Sequence, residues 1–194
     1  MRRPSRAISP ACRRRDTEML NVVALPRWRA GDAERLQAWR VKHQPGALRL
    51  PAHVPLVQSE HALADADLIE HVRAVAARVR PFTFEFSYAL PLMWDGQSAR
   101  VLLMPEAGAA ALWSLYRNLY SGRLAAWLPT TSTFVPHITL GSFSMPEQAL
   151  ALSDQWNASE APLRGEVTEL SVMRLSGPRV QWVTEVPLQG LVSA

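Results

Sequence analysis

Two histidines of this chain stand in matching local contexts, Pro51-Ala52-His53-Val54-Pro55-Leu56-Val57 and Val135-Pro136-His137-Ile138-Thr139-Leu140-Gly141. Each segment reads as proline nearby, histidine, aliphatic residue, a variable position, then leucine. An ordinary imidazole pKa of about 6.5 lets one histidine be neutral and accept a proton while a second is charged and gives one, both near neutral pH. In a strand, residues i and i+2 share a face, so His137 and Thr139 would present an imidazole and a hydroxyl together while Ile138 turns into the core. Such a pair suits an anionic phosphate ester. The histidines lie 84 residues apart, so only the fold can bring them to one site. A zinc site built on them finds no third ligand at suitable spacing. His43, His61 and His71 lie in or beside helical segments without this context and are expected to be solvated. Phe143, six residues beyond His137, reads as either a core residue or a stacking surface for a nucleobase.

The elements that must position these residues can be read from periodicity. Residues 20–25 form a short apolar run closed by Pro26, a buried strand. A helix follows from an Asp32 N-cap to about Gln44, where Pro45-Gly46 ends it. The run from Leu48 to Val57 contains Pro51 and Pro55, each lacking a ladder donor, which excludes a central strand there. A second helix opens at Asp65 and ends before Pro81. Phe82–Tyr88 alternates aromatic and polar residues, and with an Asp95-Gly96 turn and a strand from Arg100 to Met104 it makes a hairpin. A third helix runs from Ala109 to Tyr120, then come a strand at Phe134–Phe143 and a helix from Pro146. Strands at Gly165–Leu175 and Val180–Pro187, joined at Gly177-Pro178, complete the chain. Each half therefore carries a histidine strand, a helix and a strand hairpin. The expected fold is α+β, two-lobed and duplicated, with antiparallel sheets forming a central cleft and helices outside.

The net charge of +4 and pI near 10 suggest a nucleic-acid surface, but six of the 21 basic residues fall within the first fifteen positions. With these and the early Asp16 and Glu18 set aside, basic and acidic residues balance at 15 each. The expectation is a basic, disordered tail over residues 1–18, with Met19 a plausible true start, and one domain over 19–194. A single cysteine, Cys12, excludes an internal disulfide. The absence of a long apolar run or a secretory-type leader argues against membrane insertion and for a cytoplasmic protein.

The paired segments, the Phe134-Val135-Pro136-His137-Ile138-Thr139-Leu140-Gly141 string and the element order together resemble the two-histidine phosphoesterase superfamily, named after 2′-5′ RNA ligase and RNA 2′,3′-cyclic phosphodiesterase. The likeness runs from about Leu20 to Leu188 and includes Leu119-Tyr120-Ser121-Gly122. It implies attack of water on a 2′,3′-cyclic phosphodiester, with His53 and His137 as the acid/base pair and Thr139 as a phosphate anchor. It further implies an RNA 3′ end or a cyclic nucleotide as substrate, no cofactor, no metal, and a monomer. RNA ligation is carried only by the family's name. Pro55 departs from the family, which has threonine or serine at that position. One lost hydrogen bond to a charged group costs about 1.5 to 3 kcal/mol, or roughly ten- to hundredfold in rate. The alternative reading is therefore a noncatalytic RNA- or nucleotide-binding protein of the same fold.

Overall fold

The computed structural model describes residues 20–58, 63–93, 98–130, 133–176 and 179–190. The tail expected over 1–18, His61 and the turns expected at Asp95-Gly96 and Gly177-Pro178 lie outside these residues. Among the described residues nine strands form two wholly antiparallel sheets. The first sheet has the order β3-β1-β8-β9, from Val54–Val57, Leu20–Ala24, Glu169–Ser176 and Arg179–Pro187. The second has the order β2-β7-β4-β5-β6, from Arg27–Trp28, Leu163–Val167, Phe82–Met93, Ala99–Ala107 and Ile138–Phe143. Helices α1 (Asp32–His43) and α4 (Pro146–Ser159) pack on the second sheet. Helices α2 (Asp65–Ala76) and α3 (Ala109–Leu119) pack on each other and against strands of the first, α3 also reaching β5. The α+β class with two antiparallel sheets and flanking helices is thus the observed architecture.

The reasons are local. Every residue of β1 is buried, as expected for an apolar run between two neighbouring strands. The amphipathic stripe of α2 buries Leu68, Val72, Val75 and Ala76. Gly108, at φ +81°, starts α3 where a Cβ would lie 2.7 Å from the Thr83 carbonyl oxygen, so this turn requires glycine. β3 is an edge strand paired only with β1, which leaves Pro55 a side where no donor is needed.

Several expectations change. The stretch Gly165–Leu175 is not one strand but two. Leu163–Val167 belongs to the second sheet and Glu169–Ser176 to the first, with Thr168 alone between them. The apolar phase slips there, from Leu163 and Val167 at odd positions to Leu170 and Val172 at even ones, a mark that reading one continuous strand passes over. Secondly, the two-residue β2 was too short to leave a periodic signal. Thirdly, Asp32 is not the cap of α1 but its first residue, following Gly31 at φ +86°. Its carboxylate instead accepts the Arg164 N–H at 2.8 Å. Fourthly, His71 is buried rather than solvated, with Nε2 2.8 Å from the Leu119 carbonyl, and it ties α2 to α3.

The two histidine motifs also sit differently from a pair of consecutive lobes. The strand after His137 adds to β5 of the first-half hairpin, while the strand after His53 joins β1, which pairs with β8 of the second-half hairpin. The halves of the chain are interleaved across the sheets.

Candidate functional site

The strand expected over Phe134–Phe143 spans only Ile138–Phe143, so His137, like His53, immediately precedes an edge strand instead of lying within it, β6 and β3 respectively. Each imidazole bonds to the backbone carbonyl two residues earlier, His53 Nδ1 to Pro51 O at 2.8 Å and His137 Nδ1 to Val135 O at 2.7 Å. A carbonyl only accepts, so both bonds put a proton on Nδ1 and leave Nε2 as the atom that gains or loses the second one. Neighbours fix the segments leading into these residues. Phe134 stacks flat on Tyr116 of α3, with ring centroids 3.9 Å apart, just before His137. Arg40 of α1 donates from Nη2 to the Leu50 carbonyl at 3.1 Å, just before His53.

Both histidines line one cleft of about 400 Å³, together with Pro55, Thr139, Arg40 and Arg100. Alternation works as expected along each edge strand: Val54, Leu56, Ile138 and Leu140 are buried, whereas Pro55 and Thr139 are half-buried on the cleft side. The structure therefore brings together all three residues singled out from the sequence. It also puts Pro55 beside them, with no hydroxyl in the position corresponding to Thr139.

The cleft has the electrostatic character of an anion site. Two arginines and two histidines line it, and no described aspartate or glutamate does. Burial is the main reason both histidines lose basicity, only partly offset by the bonds to the carbonyls. His53 is pushed down to about 4, with Arg40 and His137 adding repulsion, and His137 is also lowered, with Arg100 adding repulsion. Both rings are thus neutral in the unliganded cleft at neutral pH.

Arg40, Arg100, Asn21 and Gln44 line the cleft but were not singled out from the sequence as site residues. For Arg40 a signal existed. It falls four residues after Leu36 on the buried stripe of α1, where an apolar residue belongs. Among the described residues no group of three or more His, Cys, Asp or Glu side chains is arranged to hold a metal ion. No helix among them is long and apolar enough to cross a membrane. His43 and Phe143 sit outside this cleft, on an adjoining groove shared with Lys42 and Arg49, their rings 6.0 Å apart.

A histidine pair set just ahead of two edge strands, in a cationic cleft between two antiparallel sheets, is the arrangement of a two-histidine phosphoesterase-type fold. Residues 28–179 match the 2′-5′ RNA ligase superfamily, and the chain belongs to that family of cyclic phosphodiesterases and RNA ligases. Solved structures agree on the fold. LigT of Escherichia coli complexed with NADP+ is 20% identical, with a TM-score of 0.52, over 89% of this chain and 98% of that one. TT0787 of Thermus thermophilus is 19% identical, with a TM-score of 0.56, over 88% and 98%. Usb1 of Kluyveromyces marxianus is 14% identical, with a TM-score of 0.52, over 89% and 99%. A comparison with curated proteins found no match.

Proposed function

We propose that this protein is a phosphoesterase that opens 2′,3′-cyclic or related phosphodiesters of RNA ends or nucleotides, with His53 and His137 as acid and base. The observation that carries the reading is the convergence of two imidazoles, each with its Nδ1 proton held by a carbonyl, on one cleft lined by arginine and free of carboxylates among the described residues. Water attacks phosphorus, its proton passing to Nε2 of the neutral histidine. The bond from phosphorus to one ribose oxygen breaks, and that oxygen takes the Nε2 proton of the other histidine, leaving a phosphomonoester. Burial and neighbouring arginines disfavour an imidazolium in the empty cleft, so the acid acquires its proton together with the negative charge of the substrate. The Thr139 hydroxyl donates to a nonbridging oxygen, where charge accumulates. That LigT has been solved with NADP+, 3′-AMP and ATP supports a nucleotide-sized ligand.

Pro55 favours a second reading, a binder that retains the cleft without turnover. Purified protein incubated with 2′,3′-cyclic AMP, and with an oligonucleotide ending in a cyclic phosphate, decides between them. Hydrolysis to a phosphomonoester, abolished in His137→Ala and in His53→Ala and raised about tenfold in Pro55→Thr, is the expected result. Saturable binding without turnover in both the wild type and Pro55→Thr would overturn the enzyme reading.

A further inference from the structure

Helix α1 contributes a charge to the cleft that neither motif contains. The Arg40 side chain belongs to a residue only 3% exposed. Its Nε donates to the Thr139 carbonyl at 3.2 Å, Nη2 to the Leu50 carbonyl at 3.1 Å and Nη1 to the Gln37 side-chain oxygen at 3.4 Å. These contacts use three of the five N–H groups a guanidinium carries. No described carboxylate pairs with it, although the more exposed arginines Arg35, Arg123, Arg164 and Arg174 all have such partners. A buried cation facing only neutral acceptors is costly, because the dipoles of carbonyls replace only part of the lost hydration. The effect is visible in Arg40 itself, whose pKa burial pulls down to about 10.

The placement of the charge is specific. Its hydrogen bonds reach the strand bearing Thr139 and the segment entering His53, and the residue lines the same cleft as both histidines and Pro55. An apolar residue at this point of the α1 stripe would pack without desolvation cost, so the arginine answers to something other than the core.

We infer that Arg40 is the buried counter-charge for the substrate phosphate, a binding residue supplied by α1 that makes good the donor missing at Pro55. This rests on the cleft being a phosphate site, as proposed above, and assigns the phosphate a partner outside the two histidine motifs. With an anionic ester in place, the remaining guanidinium N–H groups and the positive charge are both satisfied. Thr139 and Arg40 then act together, since the same residue whose hydroxyl faces the phosphate has its carbonyl held by the guanidinium. Selectivity follows: the cleft should favour dianionic and monoanionic phosphates over neutral nucleosides of equal size.

Inorganic phosphate is the probe, titrated by calorimetry at pH 7 into the full chain and into Arg40→Met and Arg40→Lys, with each variant's fold checked by circular dichroism. Arg40→Met is expected to weaken phosphate binding about tenfold or more, and Arg40→Lys to recover most of the loss because the charge is kept. A folded Arg40→Met that binds phosphate as tightly as the wild type overturns the inference, as does a wild type that binds none. Should Arg40→Met fail to fold, the Nε–H resonance of Arg40 in the wild type is followed through the same titration. A saturable shift with the calorimetric Kd supports the assignment, and a resonance that stays fixed overturns it. Hydrolysis of 2′,3′-cyclic AMP is read separately. Arg40-dependent phosphate binding without turnover sinks the enzyme reading alone, and turnover with phosphate binding indifferent to Arg40 sinks this inference alone.

Discussion

At the scale of single residues, the cleft trades basicity for readiness. A histidine in the unfolded chain takes its proton near pH 6.5, whereas folded His53 does so near 4. Between those values the unfolded chain holds the extra proton, so stability falls as pH drops from about 6.5 to about 4 and levels off below. His137, also lowered, adds in the same direction. Urea midpoints measured across that range should fall more steeply for the wild type than for His53→Asn, and equal slopes would show that His53 titrates as an ordinary histidine. The residues were legible in the sequence to unequal degrees. His137 and Thr139 announced themselves because type, spacing and flanking residues agreed. Arg40 left a signal, a charge on the apolar stripe of α1, but its meaning emerges only once the cleft it lines is known. His71 was misread because its acceptor, the Leu119 carbonyl, lies 48 residues away in sequence.

At the scale of elements, precise approach of short strands sets the frame in which the site sits. β2 lies so close to β7 that a Cβ on Gly165 would fall 2.3 Å from the Arg27 carbonyl oxygen and 2.7 Å from the Phe84 ring. Gly165→Ala must push backbone apart, and a loss of about 1 to 3 kcal/mol is expected, read as a lowered Tm. An unchanged Tm would mean that β2 is free to move aside. Farther along, Asn157 of α4 closes the ladder of β4 by accepting from the Ala89 N–H at 2.8 Å and donating to the Ala89 carbonyl at 3.0 Å. A side chain thus satisfies backbone groups beyond the point where β7 stops pairing at Phe86. Helices and hairpins were legible from apolar periodicity and proline. The switch at Thr168 was marked only by a slip of phase between Val167 and Leu170, which a single two-residue irregularity in an otherwise strand-like run does not distinguish from a bulge.

At the scale of the whole molecule, the interleaving of the two halves decides what can fold. The strand after His137 needs β5, and β1 beside the His53 strand needs β8. Neither half alone can complete its sheet, and each would leave an apolar strand with an open edge. Separate peptides covering residues 20–128 and 133–190 are therefore expected to be unfolded or aggregated when examined by circular dichroism and size exclusion. A monomeric, cooperatively melting fragment would contradict this. The passage between sheets is also short: one residue, Thr168, separates β7 from β8, and its carbonyl is held by the Leu188 N–H at 2.8 Å. So tight a crossing leaves no slack for a clamshell motion at that point. On the proposed reading, a ligand meets a hollow already shaped before it arrives, and what is admitted is tuned by lining residues such as Gln44, Pro45 and Gly46 rather than by any swing of one sheet against the other.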